Sequence, residues 1–170
     1  EALLDFGFVK NAFLIDAVAD ALEEAGLTDA LLTSTDGFSR SLCEGTFGVN
    51  LLERTDSAYR QAAAAGYEGP ASVTALRAFP VEDGDRFYIY GDGTVCAPVL
   101  DETTGLLTVR NDNLILFGRG SVGKLALQAM RALAAWDLDG LACLYSRENT
   151  VYCTDPGVTV SGLFENVRLE

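Results

Sequence analysis

LDFGFVKNAFLIDAVADALEEAGLTDALLTSTDG, residues 4–37, contains strand, helix, strand and turn signals in a single pass, and the fold reading grows from it. Between Asn11 and Ala25 the apolar residues Phe13, Leu14, Ala17, Val18, Ala21, Leu22 and Ala25 recur at spacings of three and four. Asp16, Asp20, Glu23 and Glu24 fall opposite them, which predicts an amphipathic helix laid on a flat partner. Asn11 is the expected N-cap, Asp16 sets negative charge near the positive end of the helix dipole, and Gly26 stands where a left-handed C-cap residue belongs.

Outward from this unit, Phe47 to Leu52 reads as a short strand, and Ser57 to Ala65 as a helical or irregular excursion ending at Gly66. Ala71 to Phe79, Arg86 to Tyr90 and Thr94 to Leu100 have the β-branched and aromatic content of a meander, with a tight turn at Gly91-Asp92-Gly93 and an edge or bulge at Pro98. Leu106 to Val109 and Leu114 to Phe117 flank the turn Arg110-Asn111-Asp112-Asn113. A second helix is predicted from Ser121, its cap, to Trp136, with Lys124, Gln128 and Arg131 on the solvent side. Leu141 to Tyr145 and Thr150 to Cys153 form an expected hairpin, and Val158 to Phe164 a last strand. Most strands are joined by turns rather than helices, so the expected class is α+β: a mainly antiparallel sheet with helices packed on one face.

The composition narrows function by exclusion. The 170 residues are read as one domain, 49% hydrophobic and 22% charged, which argues against long disorder. A net charge of -13 opposes contact with nucleic acid and anionic lipid, and no apolar run reaches the roughly 20 residues that span a bilayer. The chain opens in an apolar strand, so an upstream segment is an open expectation. The cytoplasm is favoured, with an exported or lipid-anchored precursor left open. Histidine is absent, which removes histidine-based nucleophile systems and metal sites. Cys43, Cys96, Cys143 and Cys153 have neither paired spacing nor the density of a disulfide scaffold, so buried free thiols are expected. A bridge between Cys143 and Cys153 depends on hairpin register.

Three segments, in order, carry a resemblance to a known family. Asp5-Phe6-Gly7-Phe8-Val9-Lys10-Asn11-Ala12-Phe13-Leu14-Ile15-Asp16 resembles D-x-G-x-x-x-K-G-[YF]-x-x-D. Ala30-Leu31-Leu32-Thr33-Ser34-Thr35-Asp36-Gly37 resembles A-L-[IV]-N-x-G-G-[DN], and Leu100-Asp101-Glu102-Thr103-Thr104-Gly105 resembles H-[IV]-[IL]-D-P-x-T-G. These are motifs of the ApbE family, flavin transferases that move FMN from FAD onto a protein threonine with Mg2+. The resemblance covers the family's C-terminal part and implies a T-fold-related α+β domain spanning 1–170. It also implies flavin-site positions at Asp36, Gly37, Asp101, Thr104, Gly105 and Lys124, and a flavin nucleotide or a protein as partner.

The departures bear on activity. Asn11 and Ala12 replace the family's Lys-Gly, the double glycine before Asp36 is lost, and Pro98 stands in for the histidine. The family's D-A-x-x-T helix, whose Asp and Thr help hold the metal, has Lys124 and Gln128 at those positions. Mg2+ requires hard oxygen ligands, so an ammonium in place of a carboxylate removes a ligand and adds repulsion. Lys124 could instead pair with a phosphate, although a solvated helix face is the favoured reading of Lys124, Gln128 and Arg131. The expectation is a catalytically degenerate relative with a ligand-binding or structural role, and an active flavin transferase or FAD pyrophosphatase is the alternative.

Gly118, Gly120 and Gly123 supply a competing motif, G-x-G-x-x-G, after an apolar strand and opening a helix, as in dinucleotide-binding modules. Leu125 where a hydroxyl should hold Mg2+ rejects a P-loop. Ser146 and Arg147 stand where the acidic ribose ligand is expected, and a structural glycine turn is favoured. Asp36 and Asp101 read as separate turn formers, and Phe79, Phe87, Tyr88 and Tyr90 as sheet and core aromatics.

Overall fold

The computed structural model describes residues 9–55, 59–77, 88–89, 91, 95–96, 113–135, 138–147, 150–162 and 167–169. Helix α1 spans Lys10–Glu24 and is followed by strands β1 (Leu31–Thr33), β2 (Phe38–Ser41), β3 (Gly45–Arg54), β4 (Tyr59–Gly69) and β5 (Ser72–Arg77). The pair β6 (Tyr88–Ile89) and β7 (Val95–Cys96) leads to β8 (Asn113–Gly118), helix α2 (Val122–Ala135), β9 (Ala142–Arg147), β10 (Thr150–Cys153), β11 (Thr159–Gly162) and β12 (Val167–Leu169). No helix among these residues is long and apolar enough to cross a membrane.

The chain is α+β, with a seven-stranded sheet in the order β1-β2-β5-β8-β9-β10-β12, antiparallel except for the β10–β12 pair. Strand β8 shows why the layers form. Its run Leu114 to Phe117 is apolar at every position, the mark of a strand covered on both faces. Leu114 and Leu116 pack under α1 and α2 with Ile15, Phe38, Val122 and Ala126. Ile115 and Phe117 point the other way, into a core shared with a three-stranded sheet, β11-β4-β3. Both helices therefore lie on one face of the large sheet and the small sheet lies on the other.

Several expectations hold, including the expected hairpins: β6 pairs with β7 about Gly91, and β9 with β10. Gly26 closes α1 at φ +76, its N–H donating to the Glu23 carbonyl at 3.0 Å and that of Leu27 to Leu22 at 2.8 Å, a Schellman ending. The β9–β10 register sets Cys153 opposite Leu144, which offsets it by one residue from Cys143. The two thiols consequently face opposite sides of the sheet, Cys143 in the helix-side core and Cys153 in the inter-sheet core, and both are free.

Other expectations are corrected. Asn11 does not cap α1: the helix begins at Lys10, after a Val9 N-cap with no side-chain capping bond. The buried stripe of α1 is Ala12, Ile15, Asp16 and Ala19, while Phe13, Leu14 and Val18 are 41%, 57% and 41% exposed. Small alanines allow the helix to approach the sheet and α2 closely, and Asp16 is drawn inward by partners distant in sequence. Tyr59 to Ala65 is strand, not helix, because Ala62, Ala63 and Ala65 are fully buried against the large sheet and β3 pairs along β4. Tertiary burial there overrides alanine's helix preference. Strands β2 and β12 had no clear signal in the sequence. The segment Leu106 to Val109 and residues 78–87 lie outside the described residues.

Candidate functional site

Two of the three motif segments, and the helix that begins at Ser121, meet at the N-terminal half of α1. Asp16 reaches across to α2, a helix more than a hundred positions later. Its Oδ1 accepts from the Val122 amide at 2.9 Å, and its Oδ2 from the Gly123 amide at 2.8 Å and the Ser121 hydroxyl at 2.6 Å. Ser121 Oγ in turn accepts from the Lys124 amide at 3.1 Å, which makes it the N-cap that the sequence predicts. The Arg40 guanidinium on β2 adds a bond to Asp16 Oδ1 at 3.1 Å and continues to Asp20 and Glu23, each at 3.1 Å. Burial pushes the Asp16 carboxyl up. The Ser121 hydroxyl, the Gly123 and Val122 amides and Arg40 outweigh burial and hold it below the ordinary carboxylate value.

The first segment also meets the β1–β2 turn. Asn11 Nδ2 donates to Asp36 Oδ2 at 2.8 Å, and Asp36 Oδ1 is buried without a partner. The turn closes through Ser34, whose amide donates to the Phe38 carbonyl at 2.9 Å. Gly37 follows at φ +94, and its carbonyl accepts from the Ala75 amide at 2.8 Å. A Cβ at Gly37 would run into the Ala75 carbonyl, so only glycine permits this seating of the turn on β5.

Of the predicted site residues, Asp36 and Gly37 lie in this turn, and Lys124 lies in the first turn of α2 with its side chain in solvent; Gln128 and Arg131 are exposed further along the same helix. Asp101, Thr104 and Gly105 lie outside the described residues. The residue that sequence reasoning missed is Arg40. Its signal was the acidic series Asp16, Asp20 and Glu23, one flank of a helix that needs a cation.

The glycine motif has a structural use here. Gly118 ends β8, Gly120 turns at φ +85, and Gly123 lies so close to Phe13 that a Cβ would fall 2.6 Å from the ring. The amides that a pyrophosphate would take, those of Val122 and Gly123, are donated to Asp16 instead. Strands β8 and β9 are antiparallel, so β8, α2 and β9 are not the parallel unit of a dinucleotide fold.

Among the described residues, Lys124, Gln128 and Asp16 do not make a Mg2+ site. Lys124 offers an ammonium, Gln128 a neutral amide, and both oxygens of Asp16 are taken by donors. Among the described residues no group of three or more Cys, Asp or Glu side chains could hold a metal ion. Chemically, the arrangement neutralises one helix N-terminus, ties two helices and a strand together, and holds the Asp36–Gly37 turn beside them. No protein-family model matches the chain, and no curated protein matches it.

Proposed function

We propose that this chain is an ApbE-like domain, a catalytically degenerate relative of the Mg2+-dependent FAD:protein FMN transferases that keeps the scaffold in a ligand-binding or structural role. The observation that carries the reading is the convergence of separated motif segments. Asn11 and Asp16 come from the first, Asp36 and Gly37 from the second, and Ser121 to Lys124 open the helix that takes the place of the family's metal-binding helix. Hydrogen bonds link the first to each of the others. The α+β architecture, with helices on one face of a mainly antiparallel sheet, agrees with this ancestry.

Loss of activity follows from what those positions now do. A carboxylate engaged by two amides, a hydroxyl and a guanidinium is a poor metal ligand, and an exposed ammonium stands where the family places a carboxylate. The test is incubation of the protein with FAD and Mg2+, following AMP and FMN by chromatography. No release above the protein-free rate is expected. Mg2+-dependent release of either product would overturn the reading in favour of a divergent flavin transferase or FAD pyrophosphatase.

A further inference from the structure

Helix α1 turns its less apolar side inward. Ala12, Ile15, Asp16 and Ala19 are buried, and the opposite stripe, Leu14, Ala17, Val18 and Ala21 with Phe13 on its flank, is exposed. A helix of a globular protein ordinarily buries its apolar stripe and gives the polar one to water. Along the exposed side, Lys10, Leu14, Ala17, Ala21 and Glu24 are spaced by four, three, four and three residues. That is the spacing of a coiled-coil seam, apolar at its three central positions and charged at its two ends. On α2, exposed Leu127 stands four residues beyond Gly123, the glycine against which the Phe13 ring lies, so it continues the apolar surface at that flank.

The charges of the seam select what covers it. Lys10 and Glu24 are exposed and lie seven residues to either side of Ala17. Neither belongs to an ion pair among the described residues, where Arg40 takes Asp16, Asp20 and Glu23 and Arg60 takes Glu53. The last turn of α1 has Glu23 and Glu24 and no basic residue, so its acids stand at the negative end of the helix dipole. A second α1, antiparallel and related by a two-fold axis at Ala17, sets Lys10 of each helix beside Glu24 of the other, and each positive helix end beside that acidic turn. A parallel pair would instead set Lys10 against Lys10 and Glu24 against Glu24. The antiparallel axis also sets Leu14 against the small Ala21 and Ala17 against Ala17, so the helices can approach to about 8 Å. Asp20, the acid beside the seam, is already held by Arg40. The net charge of -13 repels two copies at long range, but salt screens that repulsion beyond about 8 Å, and the seam contacts act within it.

We propose that the outer face of α1 is an interface with a second copy of this chain, an antiparallel helix pair closed by reciprocal Lys10–Glu24 contacts. At about 1.5 Å per residue, the 15 residues of α1 give a seam about 22 Å long. One helix pair of that length buries less than the roughly 800 Å² per partner of a standard interface, so the association is weak and depends on concentration.

Sedimentation velocity of the wild-type chain, between about 5 and 500 µM, reads it as a monomer–dimer equilibrium. Leu14→Glu, at an exposed position, should keep the wild-type thermal melt and raise the dissociation constant at least tenfold. Lys10→Glu and Glu24→Lys should each weaken the dimer about fivefold, and the double exchange should return it to within about twofold of wild type. Both exchanges favour the helix dipole, so neither unfolds α1. Glu24→Lys is the stringent case, because it lowers the magnitude of the net charge and would strengthen the association if net charge alone governed it. A wild-type chain that stays monomeric throughout would leave this face to a different protein and overturn the proposal. Leu14→Glu dimerising as wild type does, or a double exchange no tighter than the single ones, would overturn it as well.

Discussion

Asp16 is the residue on which the arrangement depends most. Its carboxylate is 9% exposed as a residue and accepts two helix amides, a hydroxyl and a guanidinium. Replacing it leaves buried donors without partners, a loss of about 2 to 4 kcal/mol in chemical denaturation for Asp16→Ala. Asp20→Asn and Glu23→Gln remove partners of the same arginine, but those carboxylates are 65% and 47% exposed, so each should cost below about 1 kcal/mol. The pH dependence separates charge from shape. Because the folded Asp16 carboxyl is held below its ordinary value of 3.8, its stabilisation is present above that pH and is lost as pH falls through the depressed folded value. Asp16→Asn should therefore be less stable than wild type at neutral pH, with the difference narrowing on acidification below about pH 4. A difference constant between pH 7 and pH 2 would show that the charge contributes nothing.

At the scale of elements, two glycines with left-handed backbones make opposite predictions. Gly37→Ala incurs both the φ +94 strain and a collision with the Ala75 carbonyl, and should lose at least about 2 kcal/mol. Gly120→Ala, at φ +85 with open space around it, should lose only about 1 kcal/mol. Equal losses in urea melts would show that the seating of the turn on β5 does not matter. Legibility in the sequence follows the same division between local and distant causes. The extent of α1 was readable because Gly26 and the Schellman bonds are local. Its buried face was not, because the residue that turns Asp16 inward is Ser121, far along the chain, and ranking by hydrophobicity favoured Phe13, Leu14 and Val18. Strand β4 was misread for a related reason: an alanine run signals helix locally, and only pairing with β3 and burial under Leu51 and Phe117 make it a strand. The turn at Asp36-Gly37 is legible as a turn, whereas its Asn11 partner carries the signal of a helix cap in the sequence.

At the scale of the whole molecule, the apolar run Leu114 to Phe117 marks a strand covered on both faces, whereas the sequence reading covers only one face, with helices; the second cover is a small sheet whose strands are distant in sequence. The large sheet divides the interior into two cores, and each contains one cysteine from the β9–β10 hairpin. Burial raises both thiols, which suppresses the reactive thiolate. In a chain carrying Cys43→Ser and Cys96→Ser, Cys143 and Cys153 should resist a thiol reagent under native conditions and react fully in denaturant. Rapid native labelling would mean that one core is open to solvent. The one-residue offset of these cysteines thus gives the fold two chemical clocks, one under the helices and one under the small sheet. If they run at one rate, the molecule opens as a single cooperative unit; if Cys153 runs ahead, the small sheet lifts away while the helices stay seated.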